Sequence, residues 1–393
     1  MSKRINELPQ LHNLTKQQQR VLRLPLEGQH LVVGAPGTGK SIVALHRMKK
    51  YEGKGRTPKV LTFNRVLASH TSQLSDCDLT TAMSWLYKTQ YDLTEEYMPQ
   101  RPPSPSEKKK REVNPDYDQL KNIFKAYYGK VPIQDLIIDE GQDLPRGYYE
   151  SLMELGFENF FIVGDQNQQI TEDNSSRKEL ECILGLSEMR EPVSDKVIEL
   201  EDNFRNTEPI ARLCQHFHTD RASPLPKLPE RPSMFKPTLL NYSTVNACAE
   251  TILRAADRDS GKLIGLIVPS EVKREDYVKK LSEIDIPRDN DKPLVSTYSS
   301  NQKQDNVNID FSSGGIVVLC DKSVKGIEFD AVYVILDGLN IYNGDEDAMR
   351  KRLYVMTSRA KDELFLMQSA LYPNKPVEAL LPSDLNILER DTI

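Results

Sequence analysis

Short apolar runs recur along the chain, each about one strand long and each leaving through a polar turn. Between them lie segments whose apolar residues fall three and four apart. The first half carries HLVVG (His30–Gly34), KVLTF (Lys59–Phe63), DLIIDE (Asp135–Glu140) and FFIVGD (Phe160–Asp165). The second half carries LIGLIVPS (Leu263–Ser270), GIVVLCD (Gly315–Asp321) and AVYVILD (Ala331–Asp337). Unbroken apolar runs of this kind read as strands buried on both faces, and the amphipathic stretches as crossover helices. The alternation predicts an α/β protein with mainly parallel sheets, one on each side of a proline-rich loop at Arg221–Pro237. A second stretch rich in proline and charge, Met98–Asp118, also reads as loop.

Composition narrows the class. At 393 residues the chain is long enough for two or three domains with sizeable cores. A hydrophobic share of 38% with 28% charged residues excludes a wholly disordered chain. No apolar run reaches the length of a membrane span, and MSKRINELPQLHN lacks the apolar core of a secretory leader. A cytoplasmic protein without a membrane partner is expected. Cys77, Cys182, Cys214, Cys248 and Cys320 are scattered and form no CxxC pair, which predicts reduced, buried thiols and no zinc site. The net charge of −6 argues against a protein coated in nucleic acid, although a basic groove on an acidic body remains compatible with it. The basic clusters are Glu107–Glu112 (EKKKRE), which by itself reads as a solvated loop, and Lys351–Lys361.

Chemistry enters at Gly34-Ala35-Pro36-Gly37-Thr38-Gly39-Lys40-Ser41, which fits G-x-x-x-x-G-K-[ST] at every fixed position. Glycines let the backbone curl so that successive N–H groups face a phosphate, and the next helix points its positive end at the same space. Lys40 would reach the β- and γ-phosphates, and the Ser41 hydroxyl would ligate Mg²⁺. The run DLIIDE ends in two acids. Asp139 would hold the metal, and Glu140 would take a proton from attacking water. FFIVGD leads into Gly164-Asp165-Gln166-Asn167-Gln168, where an amide can sense a γ-phosphate. Each of these has a bland reading, an ordinary glycine turn or a chance acidic strand end. Their conjunction in this order is what points to nucleotide hydrolysis.

In that order the motifs resemble those of superfamily 1 helicases of the UvrD/Rep/PcrA type, along nearly the whole chain. LTKQQQRVL (Leu14–Leu22) resembles the segment whose glutamine reads adenine, at Gln18. LTFNRVLA (Leu61–Ala68) and TTAMSWL (Thr80–Leu86) are similar to strand-facing segments, and the nucleic-acid contacts carried over are Phe63, Arg65 and Trp85. VGDQNQQI (Val163–Ile170) puts Gln168 at the phosphate-sensing glutamine. LEDNFRN (Leu200–Asn206) puts Arg205 at one γ-phosphate arginine, and RLYVMTSRAKDEL (Arg352–Leu364) puts Arg359 at the second. VKGIEFDAVYV (Val324–Val334) puts Glu328 at the glutamate that contacts the nucleotide sugar. The resemblance implies two RecA-like lobes with ATP and Mg²⁺ between them. The lobes are expected at 1–197 and 198–376, followed by a tail at 377–393, with short insertions at about 87–132 and 287–314. It also implies single-stranded DNA as partner, with RNA as the alternative, and movement in the 3′ to 5′ sense.

Three departures from the family stand out. The two insertions are too short for the family's 1B and 2B domains. After Ile170 the chain reads Thr171, Glu172, Asp173 where relatives carry aromatic and Arg-Gly residues that stack bases. Phe63-Asn64-Arg65 replaces small hydroxyl residues. Aromatics left for stacking are Phe63, Trp85, Tyr87, Tyr242 and Tyr298. Two functions therefore stay open: an ATP-driven helicase or single-strand translocase, and an ATPase switch gating a protein partner such as a nuclease in a defence or repair complex. A small-molecule kinase would leave Arg205, Glu328 and Arg359 without a purpose.

Overall fold

The computed structural model describes residues 8–63, 65–74, 79–102, 114–132, 135–168, 174–187, 196–219, 225–299, 307 and 309–393. The first of its two sheets is built from β1 (Gln29–Gly34), β2 (Lys59–Thr62), β3 (Leu79–Thr81), β4 (Leu136–Ile138), β5 (Phe160–Gly164) and β6 (Val197–Leu200), in the order β3-β2-β4-β5-β1-β6. Its helices are α1 (Lys16–Arg23), α2 (Lys40–Glu52), α3 (Arg65–Leu74), α4 (Ala82–Thr94), α5 (Tyr117–Ala126), α6 (Arg146–Leu155) and α7 (Arg177–Ile183). The second sheet contains β7 (Thr238–Tyr242), β8 (Leu263–Val268), β9 (Val295–Thr297), β10 (Gly315–Cys320), β11 (Phe329–Ile335), β12 (Ala360–Ser369) and β13 (Glu389–Thr392), in the order β13-β7-β12-β11-β8-β10-β9. Helices α8 (Glu208–His216), α9 (Val245–Arg258), α10 (Glu271–Glu283), α11 (Glu346–Thr357) and α12 (Lys375–Glu378) accompany it. Every strand pairing within the two sheets is parallel. This is the expected architecture of two RecA-like lobes.

The apolar runs form strands because both faces are covered. β4 and β5 are buried at every position. Alternate residues serve opposite cores: Leu31, Val33, Ile138 and Ile162 pack with Phe124 and Tyr149, while Val32, Ile137 and Val163 pack with Val43 and Met48 of α2. The second sheet divides likewise, with Val332 and Val334 on one face and Ala331 and Tyr333 on the other. Helix starts are set by polar caps. Thr15 and Gln18 form a reciprocal capping box on α1, and the Thr244 hydroxyl accepts from Ala247 N on α9.

The lobes also share an apolar seam. Val66 on α3 of the first lobe is 1% exposed and joins the core of the second with Ile309, Phe311 and Ile327. Beside it Gly326 has φ +80, and a Cβ there would lie 2.5 Å from Leu67 Cδ1. Glycine is required at Gly326 by both conformation and space.

Several sequence expectations need adjustment. The boundary at 197/198 falls inside β6, which pairs with β1 and so belongs to the first sheet. The segment 377–393 is no loose tail, because β13 pairs in register with β7. Cys182 is exposed, whereas Cys214, Cys248 and Cys320 are buried as expected; Cys77 lies outside the described residues. Among the described residues no helix is long and apolar enough to cross a membrane.

Phe329 opens β11 one residue after Glu328, is fully buried, and sits where a Cβ on Gly265 would approach it to 2.5 Å. Phe329→Ala is expected to cost about 3–5 kcal/mol of unfolding free energy in a urea titration. A loss below about 1 kcal/mol would contradict this packing.

Candidate active site

The glycine-rich turn joins β1 to α2. Gly37 and Gly39 have φ of +78 and +84, and added Cβ atoms would lie 2.3 Å from Asn203 Oδ1 and 2.4 Å from Gln18 Nε2. Only glycine serves at either place. The Lys40 ammonium is turned back onto the loop, donating to Gly34 O at 2.8 Å and Ala35 O at 3.0 Å. Burial lowers its pKa, opposed by the nearby acids Asp165, Glu140 and Asp139. Thr38 Oγ1 donates to Ala35 O at 2.8 Å. Gln18, assigned above to the base, uses its amide locally: Oε1 accepts from Thr15 N at 3.0 Å and Nε2 donates to Thr38 O at 3.0 Å. It caps α1 and fastens the loop, while its side chain still lines the cleft.

Opposite the loop, Ser41 Oγ donates to Asp139 Oδ2 at 2.6 Å. Burial, with the charge of Glu140 next to it, raises the Asp139 pKa to about 6. A half-buried hydroxyl and a buried carboxylate that converge at the end of the glycine-rich turn fit a hard divalent cation such as Mg²⁺. Glu140 is held at φ 57, uncommon for a residue with a side chain, and its N–H donates to Asp139 Oδ1 at 2.9 Å. Burial would raise the Glu140 carboxyl, but Lys325 and Lys40 bring it down to about 2, so it stays ionised. Gln142 Nε2 donates to Glu140 Oε2 at 2.7 Å, and its Oε1 accepts from Asp165 N at 3.0 Å, tying the ends of β4 and β5 together.

The second lobe supplies the cations. Arg359 is fully buried, donating to Gln168 Oε1 at 2.7 Å and to Val355 O at 2.8 Å. Burial, with Arg205 nearby, lowers its pKa to about 10. Gln168 in turn donates to Asp165 Oδ2 at 2.8 Å. Lys325, also fully buried, donates to Gln168 O at 2.6 Å, forms an ion pair with Asp143 and stands 3.6 Å from Glu140 Oε2. Arg205 Nε bonds Glu328 Oε2 at 2.8 Å. Arg205 is anchored next to Phe204, whose N–H donates to Gly37 O at 2.9 Å and whose ring is 54% exposed at the cleft. The cleft encloses about 560 Å³ and brings together Gln18, Lys40, Glu140, Gln168, Arg205 and Arg359.

Sequence reasoning missed Lys325 and Phe204. Both lie inside recognised motifs, but nothing local marks Lys325 as the buried partner of an acid 182 positions away. The strand-facing candidates are less well gathered. Arg65 lines a separate depression of about 390 Å³ with Thr80, Thr81 and Ser84. Phe63 is half-buried against the first-lobe core. Trp85 is packed on Phe157, ring centroids 5.7 Å apart, and its neighbour Ser84 faces the depression instead. Tyr242 and Tyr298 are buried, and Tyr87 is partly so. Ile170, Thr171, Glu172 and Asp173 lie outside the described residues, as does Asn64.

Removing the Lys325 ammonium would leave two buried acids facing each other. Lys325→Met is expected to cost about 3–5 kcal/mol of stability at neutral pH, with part recovered by adding Asp143→Asn. Burial already raises the Asp143 pKa to about 6 against the pull of Lys325. A raised folded-state pKa means the acid is tolerated at low pH and costs stability as pH rises. The variant's deficit should therefore be smallest near pH 4 and grow through pH 6. Urea midpoints that match wild type at every pH would contradict the pairing.

Residues 17–174 match a family described as an AAA domain. Among curated proteins nothing matches the chain. The C-terminal domain of a possible DNA helicase from Lactobacillus plantarum WCFS1 is 20% identical with a TM-score of 0.34, over 48% of this chain and 98% of that one. The PRRSV helicase is 13% identical with a TM-score of 0.41, over 94% of this chain, which spans 56% of the viral protein. Likeness at that level leaves the fold to be read from the chain's own two sheets. Residues 17–174, which hold the glycine-rich turn and the acidic strand end, are thus similar to an AAA domain, inside a chain built on two parallel sheets.

Proposed function

We propose that the chain hydrolyses ATP to ADP and phosphate in the cleft between its lobes and couples that cycle to single-stranded DNA, as a superfamily 1 helicase or translocase. The observation that carries this is the convergence on one cleft of Lys40 and Glu140 from the first lobe with Arg205 and Arg359 from the second. Lys40 and the backbone N–H groups of Gly37–Ser41 would hold the phosphates. Ser41 and Asp139 would hold Mg²⁺, which when bound would supply charge neutralisation at the phosphates. Glu140, ionised at neutral pH, accepts the proton of the attacking water. Arg205 and Arg359 stabilise negative charge spreading over the transferring group, a contribution of the order of 10³–10⁵ in rate for such arginines. Phe204 offers an aromatic face to the base beside Gln18, and Glu328 is placed by resemblance at the sugar. Gln168, bonded to Arg359, senses whether a γ-phosphate is present. Two lobes, 8–200 and 208–393, would close on ATP and relax after hydrolysis.

The groove for a single strand would run past Arg65, Thr80 and Thr81. Trp85 packed on Phe157, and Tyr242 and Tyr298 in the core, leave few aromatics for stacking. That observation favours a second reading, in which closure gates a protein partner such as a nuclease.

Steady-state hydrolysis separates the readings. Lys40→Ala, Glu140→Gln and Arg359→Ala should each reduce turnover at least about 100-fold with the fold intact. Single-stranded DNA should stimulate the wild type, with binding that weakens as salt rises. Turnover surviving in all three variants refutes the site; active enzyme indifferent to DNA and RNA replaces the motor with the switch.

A further inference from the structure

Glu328 is shared between two cations. Its Oε2 takes Arg205 Nε at 2.8 Å and its Oε1 takes Lys361 Nζ at 2.5 Å. All three side chains are 15–30% exposed and line the mouth of the cleft. The backbones on which the two cations stand are tied together. Arg231 Nη1 donates to Arg205 O at 2.7 Å and to Lys361 O at 3.3 Å, and Arg231 Nη2 bonds Asp362 at 2.5 Å. Asn206 Nδ2 adds a bond to Ser358 O at 3.3 Å. The frame is fixed on both sides, so a change of partner at Glu328 can involve side chains alone.

We propose that Lys361 is a positioning residue for the γ-phosphate: it keeps Glu328 neutralised when Arg205 turns from that carboxylate to the nucleotide. This rests on the reading of Arg205 as a phosphate arginine given above. For Arg205 to reach a phosphate it must leave Glu328. Taking a cation away from a half-buried carboxylate is costly, and that cost opposes the move. Lys361 on Oε1 keeps a cation on the carboxylate throughout the move. The ammonium thus sets how readily the triphosphate, and not the diphosphate, recruits Arg205. Asp362 is taken by Arg231 and does not compete for Lys361.

The test is the ratio of dissociation constants for ADP and a non-hydrolysable ATP analogue, both with Mg²⁺, by titration calorimetry. Lys361→Ala is expected to shrink the preference for the triphosphate about tenfold while ADP affinity changes by less than about twofold. Lys361→Arg, which keeps a cation on Glu328, should restore most of the preference. In the Lys361→Ala background, Glu328→Gln should also recover it, since a neutral amide no longer holds Arg205. Loss of affinity for both nucleotides in equal measure, or a ratio unchanged in Lys361→Ala, overturns the proposal. Arg205→Ala is the control for the underlying reading. If the wild type prefers the triphosphate and Arg205→Ala keeps that preference, the assignment of Arg205 is what fails.

Discussion

The structure depends on one buried cation that no apolar pattern accounts for. Lys325 crosses from the second lobe to the acidic strand end of the first, where it meets Asp143, Glu140 and the carbonyl of Gln168. An ammonium without solvent is tolerated only when paired, and the two acids are in the same position. Each lobe therefore completes the other's electrostatics. The consequence reaches the chemistry directly, because the same lysine keeps Glu140 ionised although its surroundings disfavour a charge.

The remaining charged groups follow the same rule. Lys40 rests on two loop carbonyls, Arg359 on Gln168, and Arg205 on Glu328. Every cation that a triphosphate would recruit already has an internal partner, so binding is an exchange of partners. The apolar seam at Val66 and Gly326 holds the lobes in register while the exchange occurs on the polar side. A cleft built in this way favours ligands with enough negative charge to outbid single carboxylates and amides.

Much of this was legible in the sequence, for identifiable reasons. Buried parallel strands are continuous apolar runs, so β4, β5, β8, β10 and β11 announced themselves. The phosphate loop was legible because its geometry demands glycine at Gly37 and Gly39. By contrast, β13 reads ERDT, exposed at each position, and owes its place to backbone pairing with β7. β6 is short and only half-buried, and the boundary was drawn through it. The nucleotide-site candidates Gln18, Lys40, Glu140, Gln168, Arg205 and Arg359 share one cleft, whereas Phe63 and Trp85 are used in packing and Arg65 lines a separate depression. Lys325 could not be inferred because a buried lysine is specified by its partner acids, and those are brought to it only by the fold.

The most direct test is a crystal structure of the chain with Mg²⁺ and a non-hydrolysable ATP analogue. The expected result is the analogue's γ-phosphate between Lys40, Arg205 and Arg359, with Mg²⁺ on Ser41 and Asp139. The Arg205–Glu328 bond should be broken and the Lys325–Asp143 pair kept. A nucleotide bound elsewhere, or bound in the cleft with both Arg205–Glu328 and Arg359–Gln168 intact, would contradict it.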